Sequence, residues 1–380
     1  MISRIRLRHI FRVHLFSMTL LLSCLAMHSY AKPIVSTFEG PSESLESKHI
    51  RPHLVSNENY VEKYTFNADL KSEGSESVGR LYFSISISNL GAGDHKLHAK
   101  GVLEFGEERI KWNVKRDSGK WLSSKHELKI NAGGVELSGD PRKVLRFMVN
   151  TSSGQFELTF KPIVEPWRPK GGGLGFGDTQ EGAQFNLFPL AELSGECTFP
   201  KGQKLNFSGT GWGRHTWSHR GPHEWSRWSQ LIRIFDSEAK RALFIRRLQI
   251  GGDFEEQVTS YALIVDAKGK VFEGFNVKVE EAKNFTDKTH PNRYAFPTDF
   301  TLTATDSSTK DTLNLKVKTN RKLYHRNPIA KLSWMKRKVV EMVTKPMEYA
   351  YEVDYNLSLS GTQDLVMNGT KGRYEVYHLN

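Results

Sequence analysis

The residue types most able to bind a ligand are concentrated in one stretch, GTGWGRHTWSHRGPHEWSRWSQLIRIF, from Gly209 to Phe235. It holds four of the eight Trp residues, several His and Arg residues, and a single acid, Glu224. Aromatic rings beside His and Arg suit a pocket for a mostly apolar ligand with a small polar head group. The predicted ligand-binding residues are Trp212, Arg214, His215, Trp217, Trp225, Arg227 and Trp228. The competing interpretation is that these rings form the core of an aromatic-rich β-domain.

The same stretch raises the question of a metal site, because His215, His219 and His223 recur every four residues. On a helix this spacing would place three imidazoles on one face. Gly221-Pro222 interrupts such a helix, and Arg214 and Arg220 disfavour a cation nearby. The sequence therefore predicts neither a metal nor a cofactor.

Residues 1–31 have the pattern of a signal peptide, with a basic start, an apolar run from Leu15 to Met27, and small residues before a cleavage site after Ala31. An alternative is a lipoprotein signal with an acylated Cys24. Both predict a periplasmic or secreted protein. Removing these residues, which include four Arg and no acids, changes the formal net charge from +12 to +8. Cys197 then remains as a lone, buried thiol.

The excess positive charge is spread along the chain, which suits an anionic membrane surface as well as nucleic acid. Secretion argues against nucleic acid. We therefore expect the partners to be a hydrophobic small molecule or lipid, together with a peripheral contact to an anionic membrane.

Short alternating runs with turn signals between them predict an all-β protein. Arg80 to Ser88 is the clearest, and its apolar residues Phe83, Ile85 and Ile87 are candidates to line a first barrel. A Pro- and Gly-rich loop, Pro162 to Gly182, precedes a predicted domain boundary at Pro200. The expected domains are residues 32–200 and 201–380.

One segment departs from the β pattern. Apolar residues at helical spacing predict an amphipathic helix from Pro328 to Thr344. Its basic residues and single Trp fit contact with a membrane surface. The predicted contact residues are Lys331, Trp334, Lys336, Arg337 and Lys338. The alternative is a helix packed against a barrel with a solvated basic face.

Four segments resemble the tandem lipocalin-like superfamily, which includes fungal oxidative-stress survival factors, AttH-type proteins and hydroxyneurosporene synthase (carotenoid hydratase) proteins. They are Gly79 to Gly91, Phe185 to Trp217, Ser226 to Gln230, and Gly372 to Glu375. The resemblance implies two tandem lipocalin-like antiparallel β-barrels with a hydrophobic ligand in a barrel or between them. It implies a ceramide-like lipid for one branch and hydration of an isoprenoid double bond for the other.

The hydratase-type pattern is Asp-His-x-Trp-Gly, and this chain has Arg214-His215-Thr216-Trp217-Ser218 at the matching positions. Adding water to an alkene requires a proton donor, and arginine is a poor one. His215 and Glu224 are the remaining weak catalytic candidates. We therefore expect a non-enzymatic lipid-binding protein. In it the Trp residues form apolar walls, Arg214 and Arg227 meet an anionic or hydroxyl-rich head group, and His215 orients it. The alternatives are an isoprenoid hydratase or isomerase, and a structural envelope protein without a ligand.

Overall fold

A computed structural model describes residues 35–38, 40–74, 77–89, 94–176, 181–251, 257–330, 332–362 and 364–379. The predicted signal peptide, Cys24 and Lys331 lie outside these residues. Within them, no helix has the length and apolar character needed to cross a membrane.

The first half of the chain forms one antiparallel sheet. Its strands are β1 (Val35–Ser36), β2 (Val61–Ser72), β3 (Val78–Asn89), β4 (His95–Phe105), β5 (Glu108–Arg116), β6 (Leu122–Ser123), β7 (Leu128–Asn131), β8 (Val135–Asp140), β9 (Val144–Thr151), β10 (Gly154–Pro162), β11 (Gly173–Phe176), β12 (Glu181–Thr198) and β13 (Lys204–Ser218). The order is β5-β4-β3-β2-β13-β12-β10-β9-β8-β7-β6, with β11 pairing to β12 and β1 to β11. We call it the first sheet.

The first sheet curls around its own core. Trp112 on β5 and Phe156 on β10 have ring centroids 5.3 Å apart although these strands are far apart in the sheet order. Phe83, Ile85 and Ile87 point into this core and are completely buried. They therefore form part of the interior of the first sheet, which the alternating pattern of this strand had made one of two possible orientations. Cys197 is also buried there, as predicted.

The second half forms a closed eight-stranded antiparallel barrel. Its strands are β14 (Ser226–Asp236), β15 (Arg241–Ile250), β16 (Val258–Asp266), β17 (Gly269–Thr286), β18 (Ala295–Asp306), β19 (Thr312–Arg326), β20 (Met347–Ser360) and β21 (Leu365–His378). Strand β21 pairs with β14 to close it. The predicted all-β fold class with two lipocalin-like units is thus confirmed, although the first unit is a curled open sheet.

Two helices complete the described elements: α1 (Pro222–Trp225), between the first sheet and the barrel, and α2 (Trp334–Val343), between β19 and β20. Helix α2 begins six residues after Pro328, because the preceding residues form turns in which Ala330 and Leu332 donate to carbonyls three residues earlier. Short 3-10 helices occur at Ser47–His49 and Lys170–Gly172.

The two units divide between Ser218 and Ser226. Strand β13 pairs along its length with β12 and β2, so the residues after Pro200 continue the first sheet. The change from the first sheet to the barrel therefore lies about one strand after the boundary predicted at Pro200.

Three apolar clusters hold the molecule together. One fills the first sheet, one fills the barrel, and the third joins residues of both units, including Phe185 and Trp212 from the first and Phe244 and Tyr261 from the second. Burying aromatic side chains between two β-surfaces contributes strongly to their association. The shared cluster fixes the outer face of β12 and β13 against the outer face of β14–β16.

Glycine on the inner face of β13 allows the core rings to pack against the backbone. A Cβ atom at Gly213 would lie 2.3 Å from Phe66 Cδ1 and 3.1 Å from Phe188 Cδ2. Overpacking of this kind costs about 1–3 kcal/mol. We predict that Gly213→Val lowers the free energy of unfolding by about 3 kcal/mol in urea denaturation.

Ser208→Val on the same strand is the matched control, because Ser208 is exposed. Its effect should stay within about 0.5 kcal/mol. Equal effects of the two substitutions would contradict the close packing at Gly213.

Candidate functional site

Strand β13 distributes the predicted ligand-binding residues between two environments. Successive side chains of a strand point to opposite faces. Trp212 and Arg214 face the barrel, where they meet Arg233 and Phe244. His215 points the other way, into the first sheet, where its ring stacks on Tyr64 with centroids 4.0 Å apart.

A small cavity lies between the first sheet and the barrel. Its apolar walls are Trp167, Phe185, Leu187, Leu231, Phe244 and Tyr261. Three arginines, Arg214, Arg233 and Arg246, complete the lining with Asn186 and Thr216. The cavity has a volume of about 20 Å³, which is room for about one water molecule. We call it the interdomain cavity.

Two of the three arginines of the interdomain cavity lie over aromatic rings. The Arg233 guanidinium lies 4.7 Å from the Trp212 ring centroid, and that of Arg246 lies 4.3 Å from Phe185. The Nε atoms of Arg214, Arg233 and Arg246 are buried and have no hydrogen-bond partner among the described residues. Burial lowers the pKa of Arg246 to about 10. Each of these buried guanidinium groups therefore has at least one N–H donor without an acceptor among the described residues.

One buried carboxylate, Glu375 on β21, offsets part of this charge. It accepts from Arg233 at 2.7 Å and from Arg373 Nε at 2.7 Å, and the Tyr377 hydroxyl donates to it at 3.0 Å. Burial would raise the pKa of Glu375, but Arg233 and Arg373 outweigh it and hold that pKa at about 2. Neither Arg214 nor Arg246 forms an ion pair with a described carboxylate, so the cavity remains positively charged.

His215 belongs to a second buried group, which we call the Glu62 centre. His215 Nε2 lies 2.7 Å from Glu62 Oε1, and both side chains are completely buried. His53 Nδ1 lies 3.1 Å from the same oxygen, and the Tyr60 hydroxyl donates to Oε2 at 2.7 Å. Burial would raise the pKa of Glu62, but the hydrogen bonds from His215 and His53 hold it well below its usual range. Glu62 is therefore ionised.

The Glu62 centre also contains Trp217, whose ring stacks on His53 with centroids 3.8 Å apart. Trp217 is thus separated from Trp212, on the opposite face of β13. Glu224, the other weak catalytic candidate, accepts a hydrogen bond from the backbone N–H of Gly221 at the start of α1. The acid that meets His215 is Glu62, not Glu224.

The remaining predicted residues lie near the barrel strands. Trp225 on α1 packs into the shared apolar cluster and donates to Ser218 Oγ at 3.1 Å. Trp228 lies beneath Arg247, at 5.5 Å, on the face of β14 that also carries Gln230 and Ile232 and points into the barrel. Arg227 accepts from the backbone N–H of Leu379 through its carbonyl. The seven residues therefore do not line one pocket.

Sequence reasoning missed Arg233, Arg246 and Glu62. Two signals were present. Arg246-Arg247 interrupts the otherwise apolar run ALFIRRLQI of β15, and Glu62 occupies the same alternating positions as Tyr64 and Phe66, which form the core face of β2. A charged residue on an apolar face is normally paired or functional.

The described structure resembles three solved proteins across most of their length. An AttH-type protein from Nitrosomonas europaea matches with a TM-score of 0.54 and 12% identity, over 89% of this chain and 98% of that one. CghA with Sch210972 matches with a TM-score of 0.52 and 9% identity, over 92% and 99%. Kievitone hydratase from Nectria haematococca has a TM-score of 0.48 at 13% identity, over 89% and 96%.

The chain has the tandem fold of the first two of these proteins. The predicted resemblance is therefore confirmed at the level of the fold. No protein-family model and no curated protein matches the sequence.

The buried ion pairs of Glu375 give a pH prediction. Its folded pKa of about 2 lies below the unfolded value of about 4.3. Ionised Glu375 therefore stabilises the fold fully above that unfolded value, and this contribution is lost as the pH falls towards the folded pKa. Glu375→Gln should cost about 3–5 kcal/mol at neutral pH, because it leaves buried arginines unpaired.

Urea denaturation at a series of pH values measures this effect. The difference in stability between wild type and Glu375→Gln should shrink as the pH falls below the unfolded pKa. Glu127→Gln, which changes an exposed carboxylate, should show little difference at any pH. A difference for Glu375→Gln that is independent of pH would contradict the assigned ion pairs.

Proposed function

We propose that this protein binds a hydrophobic ligand with an anionic or hydroxyl-rich head group in the interdomain cavity. The observation that carries the proposal is the convergence of Arg214, Arg233 and Arg246 on one aromatic-lined cavity. Charged groups in apolar surroundings are costly unless they are paired. A ligand anion would pair with Arg214 and Arg246, while an apolar tail would contact Phe185, Phe244 and Tyr261.

The interiors of the two units are already filled with side chains, which supports the interface between them as the binding site. The core of the first sheet is filled by Phe66, Phe83 and Phe147, and that of the barrel by Phe296, Phe300 and Tyr374. A lipid chain inside either core would have to displace these rings. Binding at the interface requires only that the two facing surfaces separate, which is a common location for ligand sites.

The resemblance implies ceramide-like or isoprenoid lipids, so the first candidates are members of these two classes that carry a hydroxyl-rich or anionic head group. A hydratase reaction is less well supported. Protonation of an alkene needs a carboxyl group that carries a proton, and the donors around Glu62 keep it ionised. A binding protein requires no such donor.

Two probes that differ only in the head group test the proposal. We expect palmitate to bind more tightly than hexadecanol by roughly 10–100-fold, since hydrogen bonds to charged groups contribute about 1.5–3 kcal/mol. Arg214→Gln and Arg246→Gln should each reduce the affinity for palmitate and leave that for hexadecanol nearly unchanged. Fluorescence displacement titrations measure both affinities.

Arg109→Gln is the matched control, because Arg109 is exposed on β5. Mass spectrometry of an organic extract of the purified protein should also reveal a co-purified lipid. Protein that carries no lipid and binds the two probes equally would refute the proposal.

We further propose that helix α2 contacts an anionic membrane surface. Met335, Val339 and Met342 recur at i, i+4 and i+7 and therefore share one helix face. Their exposed fractions are 72%, 65% and 86%, and that of Trp334 is 67%. An apolar face left uncovered in this way does not fit the alternative of a helix packed by that face against the barrel.

Charge complementarity favours a membrane as the partner of this face. Residues 328–346 contain five basic residues and one acid, Glu341. Lys338, which lies next to the apolar face, is exposed and 3.2 Å from Glu341. A basic amphipathic helix with an exposed Trp is suited to the boundary between lipid head groups and acyl chains. Lys331 and the side chain of Lys336 lie outside the described residues.

Vesicle binding tests this contact. Replacing Lys336, Arg337 and Lys338 with Gln should weaken binding to phosphatidylglycerol vesicles by about 100-fold, because each basic residue contributes roughly 1 kcal/mol at an anionic surface. Replacing the exposed Lys111, Lys115 and Lys129 with Gln removes the same charge elsewhere and should have a smaller effect. Equal effects of the two triple variants, or equal binding to neutral vesicles, would argue against α2.

Export to the periplasm or out of the cell remains a prediction, since it depends on residues 1–31. It is compatible with a lipid-binding role near a membrane. N-terminal sequencing of the mature protein, with cleavage after Ala31 as the expected result, would test it.

A further inference from the structure

We propose that His53, Glu62 and His215 form a binding site for a divalent transition-metal ion of the zinc class. This site lies on the inner face of β13, and the interdomain cavity lies on the outer face. The inference is therefore independent of the proposed ligand and of its head group.

The three side chains converge although they are far apart in sequence. His53 Nδ1 and His215 Nε2 lie 3.1 Å and 2.7 Å from Glu62 Oε1, and the three ligand atoms all lie within 4.8 Å of one another. Two imidazoles and a carboxylate are a ligand set that zinc uses. Ligands of a tetrahedral zinc ion are roughly 3.3 Å apart, so the ion would require His215 to move away from Glu62 by about 0.6 Å and the two imidazoles to adjust their separation.

The hydrogen bonds of His215 are compatible with a bound cation, although the Asn186 amide, 3.4 Å from Nδ1, also allows a neutral ring that donates to Glu62. Its Nδ1 lies 3.1 Å from the carbonyl oxygen of His49, and its Nε2 lies 2.7 Å from Glu62 Oε1. A neutral imidazole carries one N–H and cannot donate to both acceptors. If Nδ1–H donates to the His49 carbonyl, the lone pairs of His215 Nε2 and Glu62 Oε1 face each other. A metal ion between these two atoms would bind both lone pairs.

The Tyr64 hydroxyl also lies between two acceptors. Its hydroxyl oxygen lies 2.9 Å from the carbonyl oxygen of Ile50 and 3.1 Å from Glu62 Oε1. One hydroxyl proton cannot serve both oxygens. A cation bound at Oε1 would leave the Tyr64 proton for Ile50.

The surroundings of the three side chains match those of metal ligands. A metal-binding imidazole commonly donates its other N–H to a backbone carbonyl, as His215 Nδ1 can to His49. The Tyr60 hydroxyl occupies Oε2 of Glu62, so Oε1 remains for the ion. Stacking on Tyr64 and Trp217 fixes the two imidazole rings.

The site is also accessible. The His53 side chain is 19% exposed, whereas Glu62 and His215 are completely buried. An ion could therefore enter beside His53, and a water molecule could supply a fourth ligand there. Three protein ligands with one open position are typical of zinc sites that exchange a ligand.

A bound ion would connect three parts of the chain. His53 belongs to residues 40–60, which precede β2 without forming a strand, while Glu62 lies on β2 and His215 on β13. The ion would fasten this leading segment to the centre of the first sheet. Ligands that bind only the folded state raise the unfolding temperature.

Titration of chelator-treated protein with Zn²⁺, followed by calorimetry and thermal unfolding, tests the site. We expect one ion per chain and an unfolding temperature raised by several degrees. His53→Ala should weaken binding about 100-fold and remove the thermal effect, since one of three ligands is lost. His98→Ala is the control, because His98 is a half-buried histidine on β4 that is hydrogen-bonded to Asn113 and takes no part in the Glu62 centre.

His53→Asp distinguishes a metal site from a purely hydrogen-bonded group. An Asp carboxylate oxygen can occupy nearly the same place as His53 Nδ1, so this variant should retain Zn²⁺ binding and depend on Zn²⁺ for stability. Without a metal, two adjacent carboxylates repel each other. Absence of stoichiometric binding by the wild type, or equal binding by wild type and His53→Ala, would overturn the proposal. Neither outcome would affect the palmitate test.

Discussion

The strict alternation of side chains along β13 is the constraint on which the rest of the structure depends. The strand is paired on both sides, with β12 and β2, so its side chains must point either into the first sheet or away from it, and near Trp212 and Arg214 the outer face meets the barrel. Glycine at positions 209, 211 and 213 lets core side chains reach the backbone on one face. Trp212 and Arg214 project from the other. One short stretch therefore contributes to both the Glu62 centre and the interdomain cavity.

The two faces handle buried charge differently. In the Glu62 centre, one carboxylate is surrounded by donors from His53, Tyr60 and His215, so the negative charge is well satisfied. In the interdomain cavity the excess is positive, because Glu375 serves Arg233 and Arg373 while Arg214 and Arg246 have no described carboxylate partner. A stable core favours the first arrangement. The second is difficult to explain by stability alone, and it is the reason to assign binding to the interface.

Alternation predicted the strands and the fold class well, because it reflects burial that each strand experiences locally. The segment Arg80–Ser88 illustrates this, with Phe83, Ile85 and Ile87 in the core. The partners of the site residues could not be predicted in this way. His215 meets a carboxylate 153 residues away, and Arg214 shares a cavity with residues of another sheet. The separation of Trp212 from Trp217 follows from alternation, but only once the strand is known to extend unbroken to Ser218.

The boundary at Pro200 shows another limit of local patterns. The composition of the Pro- and Gly-rich loop indicated that a domain boundary was near, yet β12 and β13, which follow the loop, both belong to the first sheet. Such pairing is decided by contacts with β2, more than a hundred residues earlier. For helix α2 the local pattern was sufficient to predict the helix itself, because the apolar residues recur at helical spacing. The exposure of its apolar face could not be predicted, because it depends on which surfaces the barrel covers.

The small volume of the interdomain cavity constrains the kind of ligand that fits. Opening the interface separates apolar surfaces contributed by Phe185, Phe244 and Tyr261, and a polar ion alone would leave them in water. A hydrocarbon tail can replace those contacts, at about 0.8 kcal/mol for each methylene that it buries. The arginines then select among such molecules by their head groups. An amphipathic ligand therefore satisfies both requirements of the interface, whereas a free anion or a plain hydrocarbon satisfies only one.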